Sequence, residues 1–111
     1  MAILKKFEFH NAETSTASGN ELTIQSPYEQ MLLDIQTDAT TLTVNFEAQG
    51  ANGNWIALKC YNHTTATIAT STVLHINEIW QVDLIGLKKF RATITVQTGG
   101  TGTTIIGTIT G

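Results

Sequence analysis

Apolar and polar positions alternate with a period of two along most of the chain, and no stretch carries a helical period. Ile3 to His10 sets Phe7 and Phe9 on one face and Lys6, Glu8 and His10 on the other. Glu21 to Gln25 is a short strand ended by Ser26-Pro27, and Gln30 to Thr37 is another, with Met31, Leu33 and Ile35 on one face. From Thr41 to Gln49, Leu42, Val44, Phe46 and Ala48 face one way and Thr43, Asn45 and Glu47 the other. Gly50 to Asn54 is a hairpin loop, because Asn-Gly accepts the positive φ of a tight turn. Trp55 to Tyr61 is its return strand. Asn62 to Thr72 is polar and Thr-rich, a loop or a weak edge strand, and Val73 to Ile76 is a short strand. Trp80, Val82 and Leu84 mark one face of the next strand, which Gly86 ends. Lys89 to Thr98 turns Phe90, Ala92, Ile94 and Val96 inward, and a Gly99–Gly102 turn leads to a last strand, Thr103 to Thr110.

Eight or nine short strands at even spacing, each with one apolar face to bury, predict an all-β fold: a single antiparallel β-sandwich, jelly-roll or Ig-like. The expected core is Leu42, Val44, Phe46, Ile56, Leu58, Val82, Leu84, Phe90, Ile94 and Val96. Asn11 to Asn20 holds no apolar residue larger than Ala. Residues 1–20 are therefore expected to form an N-terminal strand and a flexible attachment arm, and residues 21–111 the sandwich domain.

Composition narrows the function. The chain has 111 residues, suited to one domain, and only 14% of them are charged, against roughly 25% in an ordinary globular domain. Net charge is −3 and the cations form no long stripe, which argues against nucleic acid as the main partner. Apolar runs reach only a few residues, so no membrane-spanning helix is expected. The first residues lack the apolar core of a secretory signal, so synthesis in a bacterial cytoplasm without general secretion is the expectation. Cys60 stands alone in an apolar run and reads as a buried small residue.

Catalytic chemistry finds little support. His10, His63 and His75 have no metal-ligand spacing, no nucleophile-elbow pattern occurs, and no paired carboxylates stand out. Gly99-Gly100-Thr101-Gly102 lacks the Lys-Ser/Thr ending and following helix of a phosphate loop. The chain reads as non-enzymatic, with no cofactor and no metal. Aromatic residues are the better candidates. Trp55 and Tyr61 share one parity of the return strand, opposite Ile56, Leu58 and Cys60. With Asn52 and Asn54 they form a candidate glycan or protein interface, because exposed Trp and Tyr stack on sugars and anchor contacts. The plainer reading has Trp55 capping the end of the sandwich. Lys88-Lys89-Phe90-Arg91 is the one cation cluster, suited to an acidic neighbour or to blunting a sheet edge.

Several motifs occur in a familiar order. They are Phe46-Glu47-Ala48-Gln49, Asn52-Gly53-Asn54-Trp55-Ile56-Ala57-Leu58, Trp80-Gln81-Val82-Asp83-Leu84, Gly86-Leu87-Lys88-Lys89-Phe90-Arg91-Ala92 and Gly107-Thr108-Ile109-Thr110-Gly111. This order resembles small β-sandwich proteins of tailed-bacteriophage structural gene clusters and covers about two-thirds of the chain. The sequence departs from them at Gln49, Asn52 and Thr93, where Ser, an acid and a second Arg are common. The resemblance implies a virion protein: a head-decoration or tail-associated subunit, partnered by the major capsid or tail protein. A homo-oligomer is expected, because cyclic or trimeric assembly would bury the faces that a 111-residue sandwich leaves apolar. Enzymatic activity is not implied. The alternative is a carbohydrate-binding module that recognises host surface glycans through Trp55, Tyr61, Asn52 and Asn54.

Overall fold

The computed structural model describes residues 2–73 and 77–111. Ten strands form among them: β1 (Ile3–Glu13), β2 (Leu22–Thr23), β3 (Gln30–Thr37), β4 (Thr41–Gln49), β5 (Trp55–Ala57), β6 (Cys60–Asn62), β7 (Thr67–Ala69), β8 (Glu78–Asp83), β9 (Lys89–Thr98) and β10 (Thr103–Thr110). They build two antiparallel sheets, one of six strands in the order β1-β10-β3-β8-β6-β7 and one of four in the order β2-β9-β4-β5. The pairs β1 with β10, β2 with β9 and β3 with β8 are nested, as in a long hairpin rolled on itself. That nesting decides for the jelly roll over the Ig-like alternative.

The inward positions of both sheets meet in one core. Phe9 of β1 stands edge-on to Phe90 of β9, with ring centroids 5.6 Å apart, and Phe46 of β4 packs on Trp80 of β8 at 4.6 Å. Leu42, Val44, Phe46, Val82, Leu84, Phe90 and Ile94 are buried as expected. The turns also follow local chemistry. Gly53 takes φ +77° and its amide donates to the Gly50 carbonyl. Asp38 accepts from the Thr101 hydroxyl and from the Thr101 and Gly102 amides, tying the β3–β4 turn to the glycine turn before β10. These donors, the Thr101 hydroxyl first, hold its carboxyl below the ordinary value.

Four side chains depart from their expected burial, two of them where a bulge interrupts the two-residue period. Val96 is 42% exposed, because a bulge separates the pairs Thr43↔Val96 and Val44↔Ile94. One extra residue flips every side chain beyond it to the other face. His10, expected beside Lys6 and Glu8 on the polar face, is buried, because a second bulge, between Glu8 and His10, turns Phe9 and His10 both inward. The His10 Nε2 donates to the Ala92 carbonyl of the opposite sheet at 2.6 Å. Ile56 faces inward opposite Ala48 but is 59% exposed, because β5 is the edge of its sheet. Leu58 is only half-buried against the core.

The expected return strand, Trp55 to Tyr61, is two strands in different sheets. The chain leaves the small sheet after Ala57 and enters the large one at Cys60. β7 lies within the Thr-rich segment 62–72 as its edge strand. The short strand expected at Val73 to Ile76 lies, apart from Val73, outside the described residues.

In the first twenty residues, β1 runs on to Glu13 and is paired with β10 along its length. Ala17 forms a bridge with Ile94, and the Asn20 amide donates to the Phe9 carbonyl.

Candidate binding surface

Strand alternation that buries one face of the large sheet fixes what its outer face carries. On β3, Leu32 and Asp34 point outward; they lie opposite Gln81 and Ile79 of β8 and opposite Thr108 and Ile106 of β10. Gln81 in turn lies opposite Tyr61 of β6, and Tyr61 opposite Ile68 of β7. Leu32, Tyr61, Ile68 and Ile79 are exposed and Ile106 is half-buried, so one face of one sheet collects five large apolar side chains. Scattered exposed apolar residues are ordinary; their clustering here makes this face the candidate binding surface. Two shallow depressions lie on it. One, of about 380 Å³, is lined by Asp34, Gln36, Thr104 and Ile106, and the other, of about 350 Å³, by Lys59, Cys60, Tyr61, Ile68, Gln81 and Asp83.

Sequence alone does not select this face. Alternation assigns Met31, Leu33 and Ile35 to the core and leaves Leu32 without a role. The available signal is an apolar residue at outward parity in three neighbouring strands: Leu32, Ile79 and Ile106.

The expected surface of Asn52, Asn54, Trp55 and Tyr61 is distributed over both sheets. Asn52 and Asn54 sit in the β4–β5 turn, where the Asn52 side chain accepts from the Asn54 amide. Trp55 lies opposite Gln49 on the outer face of the small sheet, half-buried beneath Arg91, whose guanidinium carbon is 4.0 Å from the indole centroid. Arg91 Nε also donates to Glu47 at 2.8 Å, as does the Thr93 hydroxyl at 2.6 Å. Burial opposes the Glu47 charge, but these donors outweigh it and hold the carboxyl below its ordinary value. Trp55 therefore serves as the floor of an ion pair on the sheet surface. Tyr61 is on the other sheet, edge-on to His63 at 4.8 Å. Of the cation cluster, Lys89 reaches Glu21 at 3.4 Å and Arg91 is taken by Glu47, so carboxylates of the same chain already neutralise two of its members.

The histidines do not converge. His10 is enclosed, His63 bonds Gln81 on the surface, and His75 lies outside the described residues. Among the described residues no three His, Cys, Asp or Glu side chains could hold a metal ion. Burial pushes the Cys60 thiol up to about 12, which keeps it protonated and unreactive.

One buried acid is an exception to the apolar interior. Glu78 opens β8 on the core side, and its Oε2 accepts from Trp80 Nε1 at 2.7 Å and Asn62 Nδ2 at 3.0 Å. Its Oε1 is buried with no partner among the described residues. Burial raises the carboxyl above its ordinary value, against the pull of the two donors. The fold therefore favours the protonated form more than water does. Its contribution to stability is full below the ordinary value of 4.5 and is lost as pH rises through the raised folded value. Glu78→Gln keeps an oxygen for both donors and removes the charge. It is expected to melt higher than the parent at pH 8 and close to it at pH 3. A variant that melts lower at pH 8 would mean that the carboxylate is stabilising where it stands.

The family model named XepA matches residues 4–109. The SPbeta prophage-derived uncharacterized protein YomS of Bacillus subtilis (strain 168) is 32% identical over 93 residues, which are 84% of this chain and 77% of that protein. The crystal structure of SPBc2 prophage-derived protein YomS superposes with a TM-score of 0.85 at 30% identity, over 95% of this chain and 90% of that one. The crystal structure of PBSX exported protein XepA gives 0.86 at 26% identity over 95% of this chain, which spans only 37% of XepA. Both relatives are prophage-derived, in keeping with the phage connection drawn from the motifs. Because the matched segment runs from β1 to β10 and takes in both sheets, the chain belongs to the XepA family.

Proposed function

We propose that this protein is a non-enzymatic binding subunit of a phage particle, which docks on a head or tail protein through the outer face of its six-stranded sheet. The observation that carries this reading is the cluster of Leu32, Tyr61, Ile68, Ile79 and Ile106 on that face. Burying such side chains contributes about 25 cal/mol per Å² of apolar surface, and repetition in a symmetric oligomer multiplies the effect through high effective concentration. The sheet face takes the role expected of the N-terminal arm, because β1 is itself a strand of that sheet and deleting residues 1–20 would remove it. The glycan alternative loses its shared platform, since Trp55 and Tyr61 belong to different sheets.

A second reading rests on one observation, that the relative XepA is described as an exported protein. On this reading the same face binds a surface outside the host cell. Fractionating an induced culture separates the two. The first reading expects the protein in purified particles at a fixed copy number; its recovery only from particle-free medium would reject that reading in favour of the second. The triple variant Leu32→Gln, Ile68→Thr, Ile79→Thr should keep the parental melting temperature, because these side chains face solvent. Its attachment to particles lacking the protein should fall about tenfold or more. Undiminished attachment would exclude this face.

A further inference from the structure

The outer face is apolar but has a charge at its centre. Asp34 stands on β3 between Ile79 on one side and Ile106 on the other, with Leu32 two residues before it. Among the described residues its side chain takes part in one hydrogen bond, a long one of 3.4 Å from Gln36 Nε2. The ion pairs among the described residues join His10 to Glu13, Lys89 to Glu21 and Arg91 to Glu47, and none reaches Asp34. The outward positions of the three central strands, β10, β3 and β8, carry Asp34 and Asp83 and no cation. Lysines stand toward its two sides: Lys6 on β1, opposite Thr108, and Lys59 just before β6, at the rim of the second depression.

We infer that this face docks a protein partner by a cationic side chain set among apolar residues, with Asp34 as its counter-charge. The inference rests on the docking reading above and adds the chemistry of the partner. Any surface that covers Leu32, Ile79 and Ile106 must also cover Asp34. Covering a lone carboxylate with apolar groups leaves an unpaired buried charge, a penalty that would cancel the apolar gain. A partner that binds here therefore supplies the missing charge. The depression beside Asp34 suits an arginine: Asp34, Gln36 and Thr104 line it together with Ile106, and a guanidinium offers five donors in a planar fork. The same carboxylate rejects partners with an acid at that point, which makes it a specificity device.

The test uses the full chain and three synthetic probes, short Val/Leu peptides with a central arginine, norleucine or glutamate, titrated while backbone amide resonances are followed. The arginine peptide should shift amides of β3, β8 and β10 around Asp34 and bind about tenfold tighter than the norleucine peptide. In Asp34→Asn that advantage should vanish, and in Asp34→Lys the glutamate peptide should become the best of the three. An arginine preference that survives in Asp34→Asn, equal binding of all three peptides, or shifts confined to another face would overturn the inference. So would binding of phosphatidylglycerol vesicles through this face. Self-association of the parent in sedimentation, abolished by Asp34→Lys, would also overturn it, by making the occupant a second copy of the chain. Particle attachment separates this inference from the docking reading. If Leu32→Gln, Ile68→Thr, Ile79→Thr detaches and Asp34→Lys does not, docking stands and the counter-charge falls. If the arginine preference holds but neither variant detaches, the counter-charge stands and particle docking falls.

Discussion

Replacing Phe46 by alanine is expected to cost about 3–5 kcal/mol of folding stability. The ring is fully buried on β4 and packs on Trp80 of β8, so it joins the two sheets at the middle of the core. Trp80 cannot readily move into the space left behind, because its Nε1 is held by Glu78. The backbone around Phe46 is equally fixed: its amide donates to the Thr70 carbonyl and its carbonyl accepts from the Leu58 amide. The loss therefore combines the transfer energy of the ring with a cavity that does not collapse. Against a total of roughly 5–15 kcal/mol for a domain, this removes a large share of the stability. Urea unfolding is the measurement: the midpoint should fall sharply with the slope unchanged, as for a loss of stability without a change in the surface exposed. An unshifted midpoint would show that Phe46 does not sit where the sheets meet.

Phe46 was legible in the sequence because β4 is a central strand with strict alternation from Thr41 to Gln49, and the same holds for Met31, Leu33 and Ile35 on β3. The period of two fails in three physical situations. A bulge adds one residue and inverts the facing of the side chains beyond it, as at Val96 and His10. A sheet crossing leaves two half-strands with unrelated faces, so Trp55 and Tyr61 share a parity in sequence and no surface in space. An edge strand such as β5 points Ile56 inward with little to cover it. The candidate surface was hidden for a related reason. A run such as Met31-Leu32-Leu33 does not reveal from sequence alone that its middle residue faces out, and only the register of β3 against β8 and β10 brings Leu32, Ile79 and Ile106 together. Asp34 gains its meaning from the same register, since nothing in its own strand shows that both cross-strand neighbours are isoleucines.

Replacing Gly107 by valine is expected to destabilise the fold by about 3 kcal/mol, at the upper end of the range for overpacking. Strand propensity argues the other way. Gly107 is the one glycine within β10, between Ile105 and Ile109 on the inward face, and valine is the better strand former. Packing decides against it. A β-carbon at this position would run into Met31 Sδ and stand 3.0 Å from both Met31 Cγ and Phe9 Cε2. The space a side chain would need is already filled from β1 and β3. Phe9 is itself fully buried, with its ring against Phe7 at 4.7 Å and Phe90 at 5.6 Å. Met31 is fully buried and unbranched, and it is the neighbour more able to yield. Met31→Ala should therefore recover part of the loss in the Gly107→Val background, although alone it costs about 2–5 kcal/mol. The check is a double-mutant cycle by urea unfolding, with an expected coupling of about 1–3 kcal/mol in the direction of rescue. A Gly107→Val variant as stable as the parent, or one that Met31→Ala worsens additively, would show that the inner face of β10 has room at this point and that the glycine of the closing motif is not held there by packing.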